Sequence, residues 1–218
     1  MPIRGLVYTY FMSLNKSIII IVTVLLIDQI SKIYIKTHFE LHESITVCSW
    51  FKIYFIENEG MAWGTRISDI ITFMSHRAAK TFLTLFRIVA IFGIGYWLWN
   101  AIQKKATKVL IMAVSLIFSG ALGNIIDSVF YGIMFDNSYN QVANLFPKNG
   151  GYDTLLHGKV VDMLYFPIYK GYLPEWIPKY GGRFFTFFEP VFNVADVAIS
   201  TGFIMLIVFN KRAFAKNS

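Results

Sequence analysis

The sequence has one cysteine, Cys48, in 218 residues, so an intrachain disulfide framework is excluded. It also lacks CxxC, HExxH or any comparable ligand spacing. Its four histidines are scattered, and the pair His38 and His42 is a weak ligand set, so no metal and no cofactor are expected. Charge is scarce: only 15% of residues are charged while 56% are hydrophobic, a balance too apolar for a soluble domain of this size. Acids are scarcer still, 13 against 20 Lys and Arg, which leaves a formal charge of +7. Such a surplus fits either a nucleic-acid partner or a membrane, and where the charges fall decides between them.

Apolar runs dominate what is present. Crossing about 30 Å of hydrocarbon takes roughly 20 helical residues, and four stretches qualify: about 16–35, 81–101, 108–130 and 190–210. The first lacks a small-residue cleavage site after its core and holds Asp28 and Lys32, so it is expected to be an uncleaved span. Arg4 and Lys16 precede it, Lys104, Lys105 and Lys108 fall between spans two and three, and Lys211, Arg212 and Lys216 follow span four; none of these stretches holds an acid. By the positive-inside rule those stretches are cytoplasmic, so both termini lie inside and the loops of about 36–80 and 131–189 lie outside. The charge surplus is thus a topology signal, and no nucleic-acid partner is expected.

The expected architecture is a single integral membrane domain, residues 1–218, with four transmembrane helices, a small β-rich extracytoplasmic element and a long outer lid loop. The β element rests on "ESITVCSWFKIYFIENEGMAWG", where β-branched and aromatic residues partly alternate with polar ones, and Glu57 to Gly64 reads as a turn. The second outer loop is rich in Gly, Pro, Asn and aromatics, which suits the membrane interface.

Ionisable groups within spans are costly and usually mark a site. Counted at about 1.5 Å per residue from the cytoplasmic lysines, Asp196 comes out ~22 Å up and Asp127 ~28 Å up, both near the outer boundary. Asn193, Asp196 and Ser200 recur at helical spacing, as do Gly120, Gly123, Asn124, Asp127 and Tyr131. The plain alternative for Asn124 and Asn193 is an interhelical hydrogen bond, and for the glycines close helix packing. Asp162, in "GKVVDMLYF", is either a strand-end aspartate on a solvated edge or half of a carboxylate pair that shares a proton and activates water. Asp28 and Lys32, one turn apart, read first as an intrahelical ion pair, with Lys32 snorkelling outward as the alternative.

Taken together, "LLIDQISK", "ENEGMAWG", "SGALGNIID", "GKVVDM" and "FNVADVAISTG" occur in the order of the motifs of the lipoprotein signal peptidases, signal peptidase II, and the chain resembles that family over most of its length. The resemblance implies a four-span intramembrane aspartyl endopeptidase of the bacterial inner membrane. It implies that Asp162 and Asp196 are the catalytic pair, and that Asn124, Asp127, Asn193, Asn58, Gly60, Asp28 and Lys32 shape the site or bind substrate. The implied partners are diacylglyceryl prolipoprotein signal peptides, cut before the lipidated cysteine, and membrane lipids, with the enzyme acting as a monomer. Ser128 stands where the family usually has Arg, which points to Arg183 or Lys159 as a substitute, and the chain is unusually long on both sides of Asp162. The rival readings are an ion-coupled transporter using Asp127 and Asp196 as a proton relay, and a non-enzymatic assembly factor.

Overall fold

The computed structural model of the chain describes residues 12–59, 75–179, 181–187 and 189–215. Among the described residues, three helices are long and apolar enough to cross a membrane: α1 (Leu14–His38), α2 (His76–Gln103) and α3 (Lys108–Met134). Each contains the span expected from the sequence and runs past it, because polar residues beyond the apolar run still satisfy helical bonds; Thr37, for example, returns its hydroxyl to Ile33 O at 2.8 Å. The fourth apolar helix, α4 (Val194–Val208), has only 15 residues, so the expected 190–210 is corrected at both ends. Before it, Val191–Phe192 form strand β6, and after it a turn at Phe209 leads into the short α5 (Asn210–Ala213).

The chain divides into two compact units. One comprises the chain up to Ile27, Arg87–Gly123 and the part from Val194 onward. Its core joins Leu98, Ala101, Leu110, Ile111, Val114 and Ala213. Small residues set the spacing within it: a Cβ on Gly120 would lie 2.2 Å from Ala195 O, and one on Gly202 would lie 2.6 Å from Ala113 O. Only backbone-to-backbone approach leaves so little room. Outward, Val89, Phe92, Tyr96 and Ile207 are exposed, as side chains bathed in hydrocarbon would be.

The other unit comprises Asp28–Phe86 and Asn124–Asn193. It holds an antiparallel sheet of order β1-β2-β3-β6, with β1 at Ser44–Cys48, β2 at Phe51–Asn58 and β3 at Val160–Tyr165. A separate hairpin pairs β4 (Tyr169–Tyr172) with β5 (Phe184–Phe187). The turn expected at Glu57–Gly64 is corrected at its start. Glu57 and Asn58 complete β2, paired with Val161 and Val160, because a partner strand overrides their low β-propensity; residues 60–64 lie outside the described residues.

Strand alternation gives the sheet two faces. Phe55, Val161 and Met163 turn toward a core shared with Ile35 and Phe39 of α1 and Tyr131 and Phe135 of α3. Ile56, Asn58 and Asp162 turn the other way. The stretch between α3 and β3 folds back along the end of α3: Phe146 N–H donates to Met134 O, Tyr152 N–H to Phe135 O, Leu156 N–H to Val129 O and Gly158 N–H to Ser128 O.

Candidate active site

Strand β3 lies between β2 and β6, and that position takes Asp162 out of solvent: its exposure is 1%. A solvated strand end is therefore ruled out. A buried carboxylate needs donors, and two carboxamides supply them. Asn58 Nδ2 donates to Asp162 Oδ2 at 3.1 Å, and Asn193 Nδ2 to Oδ1 at 2.6 Å. Asn58 reaches Asp162 because it sits two residues beyond Ile56, the direct partner of Asp162, on the same face. Asn193 follows β6 and precedes α4, so the chain turns from sheet to helix at the residue that grips Asp162.

From Asn193 the network continues inward. Its Nδ2 also lies 3.1 Å from Asn124 Oδ1 and 3.3 Å from Val161 O. Asn124 Oδ1 accepts from Lys32 Nζ at 2.8 Å, and the same ammonium lies 2.9 Å from Asp28 Oδ2 and 2.8 Å from Asp127 Oδ2. An ammonium has three N–H donors, and these three acceptors match them. Asp127 accepts further from Gln29 Nε2 at 2.9 Å and from Val161 N–H at 3.3 Å. Tyr131 donates its hydroxyl to Gln29 Oε1 at 3.1 Å.

The expected intrahelical pair of Asp28 and Lys32 is present, but it is two arms of a larger cluster. Lys32 does not snorkel, being fully buried. Of the residues expected to shape the site, Asn58, Asn124, Asp127, Asn193, Asp28 and Lys32 all join the network that ends on Asp162; Gly60 lies outside the described residues. Asp196 stands in the first turn of α4, half-buried, and belongs to the unit that also holds Arg87, whose guanidinium interacts with it electrostatically.

Of the two suggested replacements for the family arginine, Lys159 is already engaged. Ser128 donates its hydroxyl to Asn124 O at 2.9 Å, within its own helix. Lys159 Nζ sits 3.2 Å from Glu57 Oε2 and over the Tyr152 ring, and Arg183 is exposed beside the β4–β5 hairpin. His38 and His42 do not converge on a shared ligand: His38 stacks on Tyr34, and His42 faces Tyr54.

Sequence reasoning missed Gln29, Arg87 and a second buried cluster. In that cluster Glu57 pairs with Lys36 and Lys159, and Ser138 bridges Lys36 and Glu57. Burial pushes the Glu57 carboxyl up, but the two ammonium groups more than offset this and hold it below the usual carboxylate range. The signals were available. Arg87 is a cation inside an apolar run, and Lys36 continues the one-turn spacing of Asp28 and Lys32.

A model of the Signal peptidase (SPase) II family matches residues 20–211. The chain belongs to the signal peptidase II family. Among relatives, it is 47% identical over 190 residues to the lipoprotein signal peptidase of Porphyromonas gingivalis (strain ATCC 33277), covering 87% of this chain and 80% of that one. To the lipoprotein signal peptidase of Amoebophilus asiaticus it is 37% identical over 191 residues, covering 86% and 73%. Among solved structures, a bacterial membrane enzyme at 2.3 Å resolution is similar with a TM-score of 0.59 and 25% identity over 94% of each chain. As a signal peptidase II the protein is an aspartic peptidase of the membrane, and the transporter and assembly-factor readings fall away.

Proposed function

We propose that this signal peptidase II removes signal peptides from diacylglyceryl-modified prolipoproteins by cutting on the N-terminal side of the lipidated cysteine, with Asp162 and Asp196 as its catalytic pair. The observation that carries the reading is Asp162 itself: a buried carboxylate on an inner strand, held by two carboxamide donors, in a chain of this family.

In the proposed pair one carboxyl serves as base toward water and the other as hydrogen-bond donor to the scissile carbonyl. Both amide donors on Asp162 stabilise a negative charge there, which suits it to take the proton from the attacking water. Asp196, as the donor of the pair, then hydrogen-bonds the scissile carbonyl and stabilises the developing oxyanion. The water adds to the carbonyl carbon, the C–N bond breaks, and the amine leaves with the proton first taken from water.

Helix α4 with its flanking residues makes a fourth crossing, both termini are cytoplasmic, and the catalytic pair works at the outer boundary of the bilayer, where a signal peptide's cleavage site emerges. A diacylglyceryl group in the outer leaflet fixes that height. The peptide must be extended to be cut, so its freed backbone groups need polar partners there. The lid is the β4–β5 hairpin with its flanks, which carries exposed Tyr172 and Trp176 suited to headgroup depth. One copy of the chain suffices.

Asp162→Asn and Asp196→Asn are each expected to abolish processing of a lipidated reporter, read by gel shift, while the variants still insert in the membrane. Processing that survives both substitutions would overturn the pair.

A further inference from the structure

Asn58 lies on the face of strand β2 that meets Asp162. On the opposite face the neighbouring residue, Glu57, is buried in a polar cluster whose outer member, Lys159, is partly exposed. Its carboxylate pairs with Lys36 of α1 and with Lys159, the latter at 3.2 Å, and accepts the Ser138 hydroxyl at 3.0 Å. Lys36 Nζ donates to Ser138 Oγ at 2.9 Å and stands 4.9 Å over the Tyr152 ring and 5.4 Å over that of Phe135. Tyr152 in turn accepts the backbone N–H of Lys159 at 2.6 Å, one residue before β3 begins. Ser138, Tyr152 and Lys159 all belong to the long stretch between α3 and β3. Three segments thus meet at Glu57: α1, β2, and that stretch, whose last residue, Lys159, leads into the strand that bears Asp162.

A structural salt bridge would need none of this placement. Buried ion pairs are poor sources of net stability, since desolvating two charges cancels most of their attraction. What such a pair does supply is a unique geometry, because Glu57 has only one position that satisfies Lys36, Lys159 and Ser138 together. In an extended strand that position also fixes the next residue.

We propose that Glu57 and Lys36 are positioning residues for the peptidase reaction: by pinning β2 against α1 and the stretch before β3, they hold Asn58 where its amide meets the Asp162 carboxylate. The inference rests on the reading of Asp162 as catalytic. Neither residue touches substrate; each acts through Asn58. Small displacements of a positioned group cost rate far more than binding.

The test compares Glu57→Gln, Lys36→Met and Asn58→Ala, singly and as Glu57→Gln with Asn58→Ala. Each is purified in detergent, and cleavage of a diacylglyceryl-modified substrate is normalised to the folded fraction. Glu57→Gln is expected to lower kcat by about 10- to 100-fold with KM within about twofold. The double variant is expected to be no slower than Asn58→Ala alone, because the two act in series. Should Glu57→Gln fail to fold, Ser138→Ala, which removes one hydrogen bond, carries the same test with a smaller loss. Normal kcat per folded molecule in these variants, or losses that multiply in the double variant, would overturn the proposal. Asp162→Asn is assayed alongside. If it is inactive while Glu57→Gln is normal, only the positioning role fails; if it is active, the catalytic reading fails and takes this inference with it.

Discussion

Lys32 is one cation facing two carboxylates and an amide oxygen in a site closed to solvent. Removing one member of such a buried set leaves its partners uncompensated, at a cost of about 3–5 kcal/mol. Lys32→Met is therefore expected to lower the unfolding temperature in micelles sharply. Asp28→Asn is expected to cost less, since Lys32 keeps Asp127 and Asn124. At this scale the sequence was legible wherever polarity was expensive. Asp28, Lys32, Asn124, Asp127 and Asn193 stood out because an apolar run does not tolerate them without partners. Glu57 did not. It lies in a loop-coded stretch with Glu40 and Glu43, where a carboxylate costs nothing, and only the fold separates the buried acid from the other two.

Among elements, the glycine stripe of α3 was readable, and its consequence is quantitative. A side chain at Gly120 meets Ala195 O and Ile199 at 2.2 and 2.8 Å, so Gly120→Val must drive α3 and α4 apart. A loss of about 1–3 kcal/mol or more is expected from such overpacking, seen as a lower unfolding temperature together with reduced cleavage. Gly93→Ala, which meets nothing within 4 Å, is the control and should leave both unchanged. Element ends were less legible than element types. Polar residues at the end of β2 looked like a turn because local propensity knows nothing of β3. The fourth apolar run looked like a full span because its first residues, Val191–Phe192, are as apolar as a helix yet pair with Tyr165 and Leu164.

For the molecule as a whole, two measurements follow from charge. The Glu57 carboxyl is held below its ordinary range. Its contribution to stability is thus complete above the unfolded value of about 4.3 and is lost as pH falls through the lower folded one. The stability gap between the native chain and Glu57→Gln, followed by thermal unfolding in micelles, is expected to be flat from neutral pH to about 4.3 and to narrow below it. The second measurement concerns sidedness. The sole cysteine, Cys48 of β1, is a natural reporter for the loop proposed to lie outside. An impermeant maleimide is expected to label it in intact spheroplasts, whereas a cysteine placed at Lys105 in a Cys48→Ser chain should react only after lysis. The reverse pattern would invert the proposed topology.

The shared lysine also bears on how the protein is made. The first helix enters the bilayer with Asp28 and Lys32 already matched, one acid to one base. The third helix brings Asp127 with no cation of its own at that depth, and its counter-charge waits on a segment synthesised almost a hundred residues earlier. Until the two meet, the newborn chain carries an orphan acid in oil, so residence in the insertion machinery should lengthen whenever Lys32 is missing.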